Sequence, residues 1–415
     1  MQVYLQQSSL QTELNSVPTV VISGSKSESN RLLLLQQLFP QLAVDNVSDS
    51  DDVVAMQEGL VVTKGRVNVH HAGTTMRFLT AYFALCQKES IQLEGSERMH
   101  NRPIGILVDA LRELGAKITY LEKEGYPPLA IDGIQADGGS IRIPAAISSQ
   151  YISALLLVGT ALKKGIQLEL IGAITSRPYI EMTLSLIEEL GAETTFHGQQ
   201  ITVCPPKKLK KTQFTVEADW SSASYYYSIV ALSAVGTSLR LGKFKPISLQ
   251  GDAQLPTIYT QLGVATAFEA DDFIRLTKVA TPTAAFQGDF TATPDLAQTV
   301  VVTCFGLGIA CDIKGLHTLK IKETDRLVAL QQELKKLGGK LSITDHSLTL
   351  DATKEKREED VVQIATYQDH RMAMAFAPLM LQMDLIIQEA EVVTKSYPSF
   401  WKDLQKLGFS VLETP

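Results

Sequence analysis

The apolar positions of this chain fall into a pattern that repeats. A helix ending of the form Leu-Gly recurs at Leu114-Gly115-Ala116, Leu190-Gly191-Ala192, Leu262-Gly263-Val264, Leu337-Gly338-Gly339 and Leu407-Gly408-Phe409. The glycines stand 76, 72, 75 and 70 residues apart. Glycine just past a helix supplies a left-handed turn, and a short β-rich segment follows, such as Lys117-Ile118-Thr119-Tyr120 or Lys340-Leu341-Ser342-Ile343. One more step back falls near Phe39-Pro40, where Arg31–Leu38 ends as an amphipathic helix, which makes six units. Five of them carry a second, apolar helix: Arg77–Leu85, Ser149–Leu162, Ser222–Leu232, Pro294–Leu307 and Arg371–Leu381. The period is too long for a helical solenoid and fits a βαβαββ unit used six times. Ala154–Leu157, Val300–Val302 and Ala373–Leu381 are apolar nearly all round, as helices buried inside a domain must be. The pattern predicts an α/β protein of two domains with three units each, helices inside and sheets outside. An ordinary α/β protein with coincidental endings is the alternative, and the even spacing speaks against it.

Composition narrows the function classes. A chain of 415 residues, 45% hydrophobic and 20% charged, has ample material for two to three domains. Its net charge of −7 argues against nucleic acid as a partner, but not against small anions, because a local cationic cleft focuses its own field. Cys86, Cys204, Cys304 and Cys311 form no CxxC pair or ligand cluster and read as reduced core thiols of a cytosolic protein. No basic leader followed by an apolar stretch is visible, and no apolar run approaches the ~20 residues of a membrane helix. The expectation is a soluble, cytoplasmic protein without a metal site, His70-His71 being too closely spaced to form one alone.

The chemistry concentrates at helix starts. Lys26-Ser27 with Arg31, Gly73 with Arg77, Asn101-Arg102-Pro103, Lys322 to Arg326, and Asp369-His370-Arg371 each place a cation where a polar turn enters an apolar helix. A helix N-terminus is already partly positive, so five cations there are best explained by anionic ligands. Each motif also has a plainer explanation. Lys322 and Arg326, four apart, would share a helix face and repel weakly; they either form a solvated charged start or point at a ligand, with Glu323 in proton transfer. Ser27 or Ser29 could cap a helix, yet that leaves Lys26 and Arg31 unexplained together. Arg77 and Arg371 lead into apolar runs and need partners; Arg77 reads as structural, Arg371 as functional, although Asp369 is a candidate structural partner for it. Asp295 is either an N-cap or a general base kept ionised by nearby cations. Ser148-Ser149-Gln150 and Ser176-Arg177-Pro178-Tyr179 look like neutral cradles of the same kind.

Taken in order, Gly24-Ser25-Lys26-Ser27 to Arg31, Ala72-Gly73-Thr74 to Arg77, Arg98-Met99 to Arg102-Pro103, Ser148-Ser149-Gln150, Ser176 with Tyr179, Asp219 to Tyr225, Pro294-Asp295, Lys322–Arg326, Asp369-His370-Arg371 and Lys395 with Pro398 closely resemble the 5-enolpyruvylshikimate-3-phosphate synthase family. The resemblance spans nearly the whole chain. It implies the two-domain inside-out α/β barrel, with residues 1–18 and 218–415 in one lobe, residues 19–217 in the other, and the active site in the cleft between them. Crossings would fall near Pro18 and near Ala218-Asp219, with closure driven by substrate. It also implies transfer of an enolpyruvyl group from phosphoenolpyruvate to the 5-hydroxyl of shikimate 3-phosphate, without metal or cofactor, by a monomer.

By matching position the resemblance assigns Lys26, Ser27, Arg31, Ser148, Ser149, Gln150, Ser176, Tyr179, Asp295, Thr318 and Lys322 to shikimate 3-phosphate. It assigns Lys26, Gly73, Arg102, Gln150, Arg326, Arg371 and Lys395 to phosphoenolpyruvate, with Asp295, Glu323, Lys322 and Lys26 as the catalytic groups. Three positions depart from the family pattern: His71 for the usual Asn, Phe78 for a frequent Pro, and Thr318 for an Asn. Gly73 is retained, so inhibition by glyphosate is expected. The sister family that acts on UDP-N-acetylglucosamine carries a Cys before its Arg-Pro pair, and Glu97–Asn101 has none. A non-catalytic anion-binding relative is the remaining alternative.

Overall fold

A computed structural model of the chain describes residues 1–10, 17–145, 148–174, 176–356 and 359–414. The chain forms two compact units, Met1–Ser23 with Glu217–Pro415, and Gly24–Val216. Each is built from the predicted repeat. In one example, strand Gly65–Asn68, helix Gly73–Leu85, strand Ser90–Glu94 and helix Gly105–Glu113 lead into a hairpin of Lys117–Tyr120 and Leu129–Asp132. The first two strands run parallel (Val67 opposite Leu93) and the hairpin pairs antiparallel beside them (Ile91 opposite Ile131). The same order recurs from Gly139–Pro144 to Gln200–Cys204 and from Phe286–Asp289 to Ser347–Lys354.

Two repeats in the unit containing both termini are completed by distant segments. Strand Gln2–Leu5 enters the sheet of Leu385–Ile387 and Val411–Thr414, with Val3 opposite both Ile387 and Glu413. Strand Thr19–Val21 pairs in parallel with Ser238–Gly242, Val20 opposite Leu241. Because that strand stays in its sheet, the first crossing lies at Ser23–Gly24 and not near Pro18; the return lies at Val216–Glu217. The return strand Gln213–Thr215 pairs with Ala43–Asp45, Phe214 opposite Val44. Each crossing therefore leaves a strand in one unit and sends the following helix to the other.

The sixth repeat is shorter than expected. It holds that two-stranded sheet and the helices Lys26–Leu38 and Asp51–Leu60, and its closing hairpin is missing because the chain passes directly to Gly65–Asn68. Lys26–Leu38 occupies the inner-helix place, so Asp51–Leu60, not the ending at Phe39-Pro40, is the counterpart of the Leu-Gly helices. The inner helices are buried as their composition requires: every residue of Gly73–Leu85 is buried, and so is all of Ala297–Leu307 except Leu307. Two of the cysteines fit the core reading and two depart from it: Cys304 and Cys311 are buried, Cys86 is half-buried and Cys204 exposed. Among the described residues no helix is long and apolar enough to cross a membrane.

The recurring glycines all have positive φ, but their surroundings differ. At Gly115 (φ +94°) an added Cβ would meet only the Ile134 side chain, at 3.7 Å. At Gly263 (φ +78°) it would lie 2.0 Å from the Ala280 carbonyl oxygen. Gly115→Ala should cost about 1–2 kcal/mol, the left-handed penalty alone. Gly263→Ala should cost clearly more, because backbone must move as well; urea-unfolding midpoints of the two variants provide the comparison.

Candidate active site

In the unit Gly24–Val216, Lys26 opens its helix with its ammonium 3.4 Å from the buried Asp52 carboxylate, and it is 18% exposed. Asp52 sits in the first turn of the next helix, where negative charge is favoured. The pair explains how a cation is tolerated at the wrong end of its own helix. Arg31 lies one turn further and behaves differently. Its guanidinium is 2% exposed and donates to the Ser27 carbonyl (2.7 Å), the Thr183 hydroxyl (2.8 Å), the Ser153 hydroxyl (3.1 Å) and the Tyr179 carbonyl (3.2 Å). Phe78 packs beneath it, 5.5 Å from ring centroid to Cζ. Burial lowers the Arg31 guanidinium to about 10, with Tyr179 and Glu28 working against that shift. Arg31 thus ties the first turn of its own helix to the helices that carry Ser153 and Tyr179.

Gly73 and Arg102 form the second feature of this unit. A Cβ at Gly73 would meet Arg102 Nη1 at 2.4 Å and Cζ at 2.9 Å, so only glycine lets the guanidinium lie against this helix start. Arg102 does not open a helix as expected; it stands in the turn between Glu97–His100 and Gly105–Glu113. Arg77 lies inside its helix, donating to the Gly73 and Pro103 carbonyls at 3.0 and 3.2 Å. Burial, then Arg102, lowers its guanidinium to about 10, in keeping with a structural role. The Gln150 amide donates to Thr74 at 3.0 Å, and the Ser148 hydroxyl caps the helix that Ser149 begins. Ser176 precedes the helix Arg177–Leu190 in left-handed backbone (φ +51°) without a capping hydrogen bond from its side chain, and the Tyr179 carbonyl accepts from Arg31 and Thr183.

In the unit containing the termini, five of the predicted groups converge around Asp295. Its Oδ1 accepts from Arg326 at 2.8 Å and lies 3.4 Å from the Lys322 ammonium. Its Oδ2 lies 3.4 Å from Arg371, which also donates to its carbonyl at 3.2 Å. Burial pushes the Asp295 carboxyl up, but Lys322, Arg371 and Arg326 together outweigh it and hold the group well below the usual carboxylate range. Asp295 lies in the 3-10 turn Pro294–Leu296, and its side chain caps no backbone group.

Arg326, 2% exposed, opens the helix Arg326–Lys336 and touches three carboxylates: Asp369 at 2.6 Å, Asp295 at 2.8 Å and Glu323 at 2.8 Å. Burial works against its charge, yet Asp369, Glu323 and Asp295 raise its affinity for the proton overall. Glu323 also takes the Lys395 ammonium at 2.8 Å. Lys322 and Glu323 lie outside the helix that Asp325 caps, so the predicted shared face for Lys322 and Arg326 does not form. They meet through Asp295 instead. Asp369 likewise is not the guanidinium partner of Arg371; it accepts the Arg371 backbone N–H at 2.8 Å and binds Arg326. Thr318 lies outside this cluster, in the turn His317–Ile321, its buried hydroxyl without a hydrogen-bond partner among the described residues.

Residues that carried no motif support this cluster. Tyr367 and Gln368 both adopt left-handed backbone (φ +53° and +56°) just before Asp369, a conformation that side chains resist and that must be held. The fully buried Glu333 holds it, accepting from the Ala365 N–H at 3.0 Å and the Tyr367 hydroxyl at 2.7 Å. No local signal marks Glu333, since it lies 32 residues from Ala365.

Two outcomes follow. Arg326→Ala should destabilise its unit by about 3–5 kcal/mol, because it strands buried carboxylates; denaturant unfolding measures this. The lowered pKa of Asp295 contributes stability that is complete above its unfolded value near 4 and is lost as pH falls through the lower folded value. Asp295→Asn should therefore flatten the fall in stability on the acid side of about pH 4, read from urea midpoints across that range.

Residues 58–404 match a profile described as EPSP synthase (3-phosphoshikimate 1-carboxyvinyltransferase). A 3-phosphoshikimate 1-carboxyvinyltransferase of Bacteroides fragilis (strain YCH46) is 45% identical over 397 residues, spanning 95% of this chain and 96% of the relative. Another, from Sulfurovum sp. (strain NBC37-1), is 33% identical over 419 residues, spanning 94% and 96%. Among solved structures, EPSP synthase from Acinetobacter baumannii superposes with a TM-score of 0.78 at 20% identity, covering all of both chains. An enolpyruvyl transferase from Streptomyces tendae does so with a TM-score of 0.69 at 13% identity, covering 99% of this chain and 98% of that one. These structures share the inside-out α/β fold built from repeats. On the profile and the two relatives, this chain belongs to the EPSP synthase family.

Proposed function

We propose that this chain transfers the enolpyruvyl group of phosphoenolpyruvate to the 5-hydroxyl of shikimate 3-phosphate, releasing phosphate, in the route to chorismate and the aromatic amino acids. The observation that carries the reading is the cluster around Asp295, where one carboxylate is kept ionised by three cations. Arg326 and Arg371 would take the donor carboxylate with their planar forks. As that carboxylate competes for the two arginines, Asp295 is partly released from their field and becomes a better base for the attacking hydroxyl. Lys322 and Glu323 would carry the proton to and from the methylene carbon, first in addition and then in elimination of phosphate from the tetrahedral intermediate.

Lys26, the Gly73 N–H, Arg102 and Lys395 are assigned to the donor phosphate. Ser27, Arg31, Ser148, Ser149, Ser176, Tyr179 and Thr318 are assigned to the acceptor, and Gln150 to both substrates. Within the acceptor set, Arg31 acts chiefly by holding Tyr179 and the Ser27 turn. Lys26 to Tyr179 belong to one unit and Asp295 to Lys395 to the other, so the reaction requires both to act on one substrate pair. The protein is taken to work as a cytoplasmic monomer on these small anions, with neither nucleic acid nor membrane as partner.

Phosphate release from phosphoenolpyruvate tests the reading, with shikimate 3-phosphate and UDP-N-acetylglucosamine as alternative acceptors, in chelator. Release is expected with shikimate 3-phosphate alone; release only with the nucleotide sugar would overturn the assignment. Asp295→Ala should lower kcat by ~10²–10⁴, the usual worth of one general base. Gly73→Ala should raise KM for phosphoenolpyruvate, because the new methyl displaces the Arg102 guanidinium, while leaving KM for the acceptor near its original value.

A further inference from the structure

Asp252 has no place in the assignments above, yet it is built into the same cluster. It is 3% exposed, in the 3-10 turn Gly251–Gln254. Among the described residues no cation forms an ion pair with it, and its Oδ1 has no hydrogen-bond partner. Its Oδ2 accepts a short hydrogen bond from the Ser221 hydroxyl. Ser221 in turn lies 3.2 Å from Arg371 Nη2.

The donor inventory settles the direction of this chain of bonds. A guanidinium only donates, so Ser221 Oγ must accept from Arg371. A hydroxyl has one proton, and the carboxylate of Asp252 takes it. Asp252 thereby fixes Ser221 as an acceptor aimed at Arg371 Nη2, the same nitrogen that lies 3.4 Å from Asp295 Oδ2. An ionised acceptor makes the stronger bond. Burial pushes the Asp252 carboxyl up to about 6, with Asp295 and Asp219 adding to the rise and Arg371 and the Ser221 hydroxyl drawing it down.

The turn itself is anchored to the helix that carries Ser221. The Gln250 amide donates to the Ala218 carbonyl at 2.8 Å, and its oxygen accepts the Trp220 N–H at 3.0 Å. A buried carboxylate with an unused oxygen is costly; placing one behind a substrate-binding arginine makes sense if it orients that arginine.

We propose that Asp252 is a positioning residue for the reaction, holding the Arg371 guanidinium through the Ser221 hydroxyl in the orientation that receives the phosphoenolpyruvate carboxylate. The inference rests on the reading in which Arg371 grips that carboxylate. The test is phosphate release with each substrate titrated separately, for wild type, Asp252→Ala, Ser221→Ala, the double variant and Asp252→Asn. Asp252→Ala and Ser221→Ala should each raise KM for phosphoenolpyruvate roughly 10- to 100-fold, the worth of one hydrogen bond to a charged group, with KM for shikimate 3-phosphate unmoved. The double variant should be no worse than the worse single one, because both break one relay. Asp252→Asn, whose Oδ1 still accepts, should recover most of the loss.

An unchanged KM for phosphoenolpyruvate, equal shifts for both substrates, or multiplying effects in the double variant would overturn the relay. Should Asp252→Ala not fold, Ser221→Ala and Asp252→Asn decide the matter on the same KM criterion. An active wild type with unaffected variants refutes this inference alone. A wild type that releases no phosphate with shikimate 3-phosphate refutes the transferase reading and this inference with it.

Discussion

Burying a guanidinium is the constraint on which this molecule turns. Unpaired, such a charge is prohibitively costly in a protein interior, and here Arg31, Arg77 and Arg326 are each no more than 4% exposed. They are stabilised in two different ways. Arg31 and Arg77 use carbonyls and hydroxyls (Arg77 with a sulfur contact to Met99), and burial, outweighing the nearby acidic groups, lowers their proton affinity. Arg326 has three carboxylates, and its charge is over-neutralised. The second arrangement produces a dense cluster in which an anionic ligand must compete with resident carboxylates.

That competition gives the Asp295 cluster its chemical character. Asp295 and Glu323 hold Arg326, Arg371, Lys322 and Lys395 in place before any ligand arrives. The cations are therefore pre-ordered, and the entropy of fixing four long side chains is met on folding. The opposing effect is that a ligand carboxylate gains only the difference between its own bonds and those it displaces. A strained left-handed turn before Asp369, stabilised by the buried Glu333, is part of the same rigidity.

The fold supplies this geometry through repetition. Each repeat buries an inner helix beneath a sheet, and the inner-helix starts are where Lys26, Gly73, Ser149, Ser221, Asp295 and Arg371 all lie. One architectural unit used six times thus brings six helix starts into equivalent places. The chain completes two of its sheets with strands from its own N-terminal segment, Gln2–Leu5 and Thr19–Val21. Those strands bind the beginning of the chain to sheets whose other members come after residue 237.

Much of this was written locally. Helix endings depend on the residues beside them, since a left-handed turn favours glycine wherever it occurs, so Gly115, Gly191, Gly263, Gly338 and Gly408 marked the repeats directly. Apolar helices such as Gly73–Leu85 declared their burial for the same reason. The sequence by itself determined the repeats, the inner helices and the inventory of charged motifs. It misplaced the truncated repeat, because the helix that ends at Phe39-Pro40 is the inner helix of that repeat and not the counterpart of the Leu-Gly helices, and the first crossing, because Val20 is too short a strand signal to show its partner Leu241. Only the tertiary structure decided which cation meets which anion. Asp295 and Arg371 are 76 residues apart, Arg326 and Asp369 are 43, and Ser221 and Asp252 are 31. A hydrogen bond depends on positions to within a fraction of an ångström, and those positions are set by how whole helices and sheets pack, not by the residues next to the donor or acceptor in the chain.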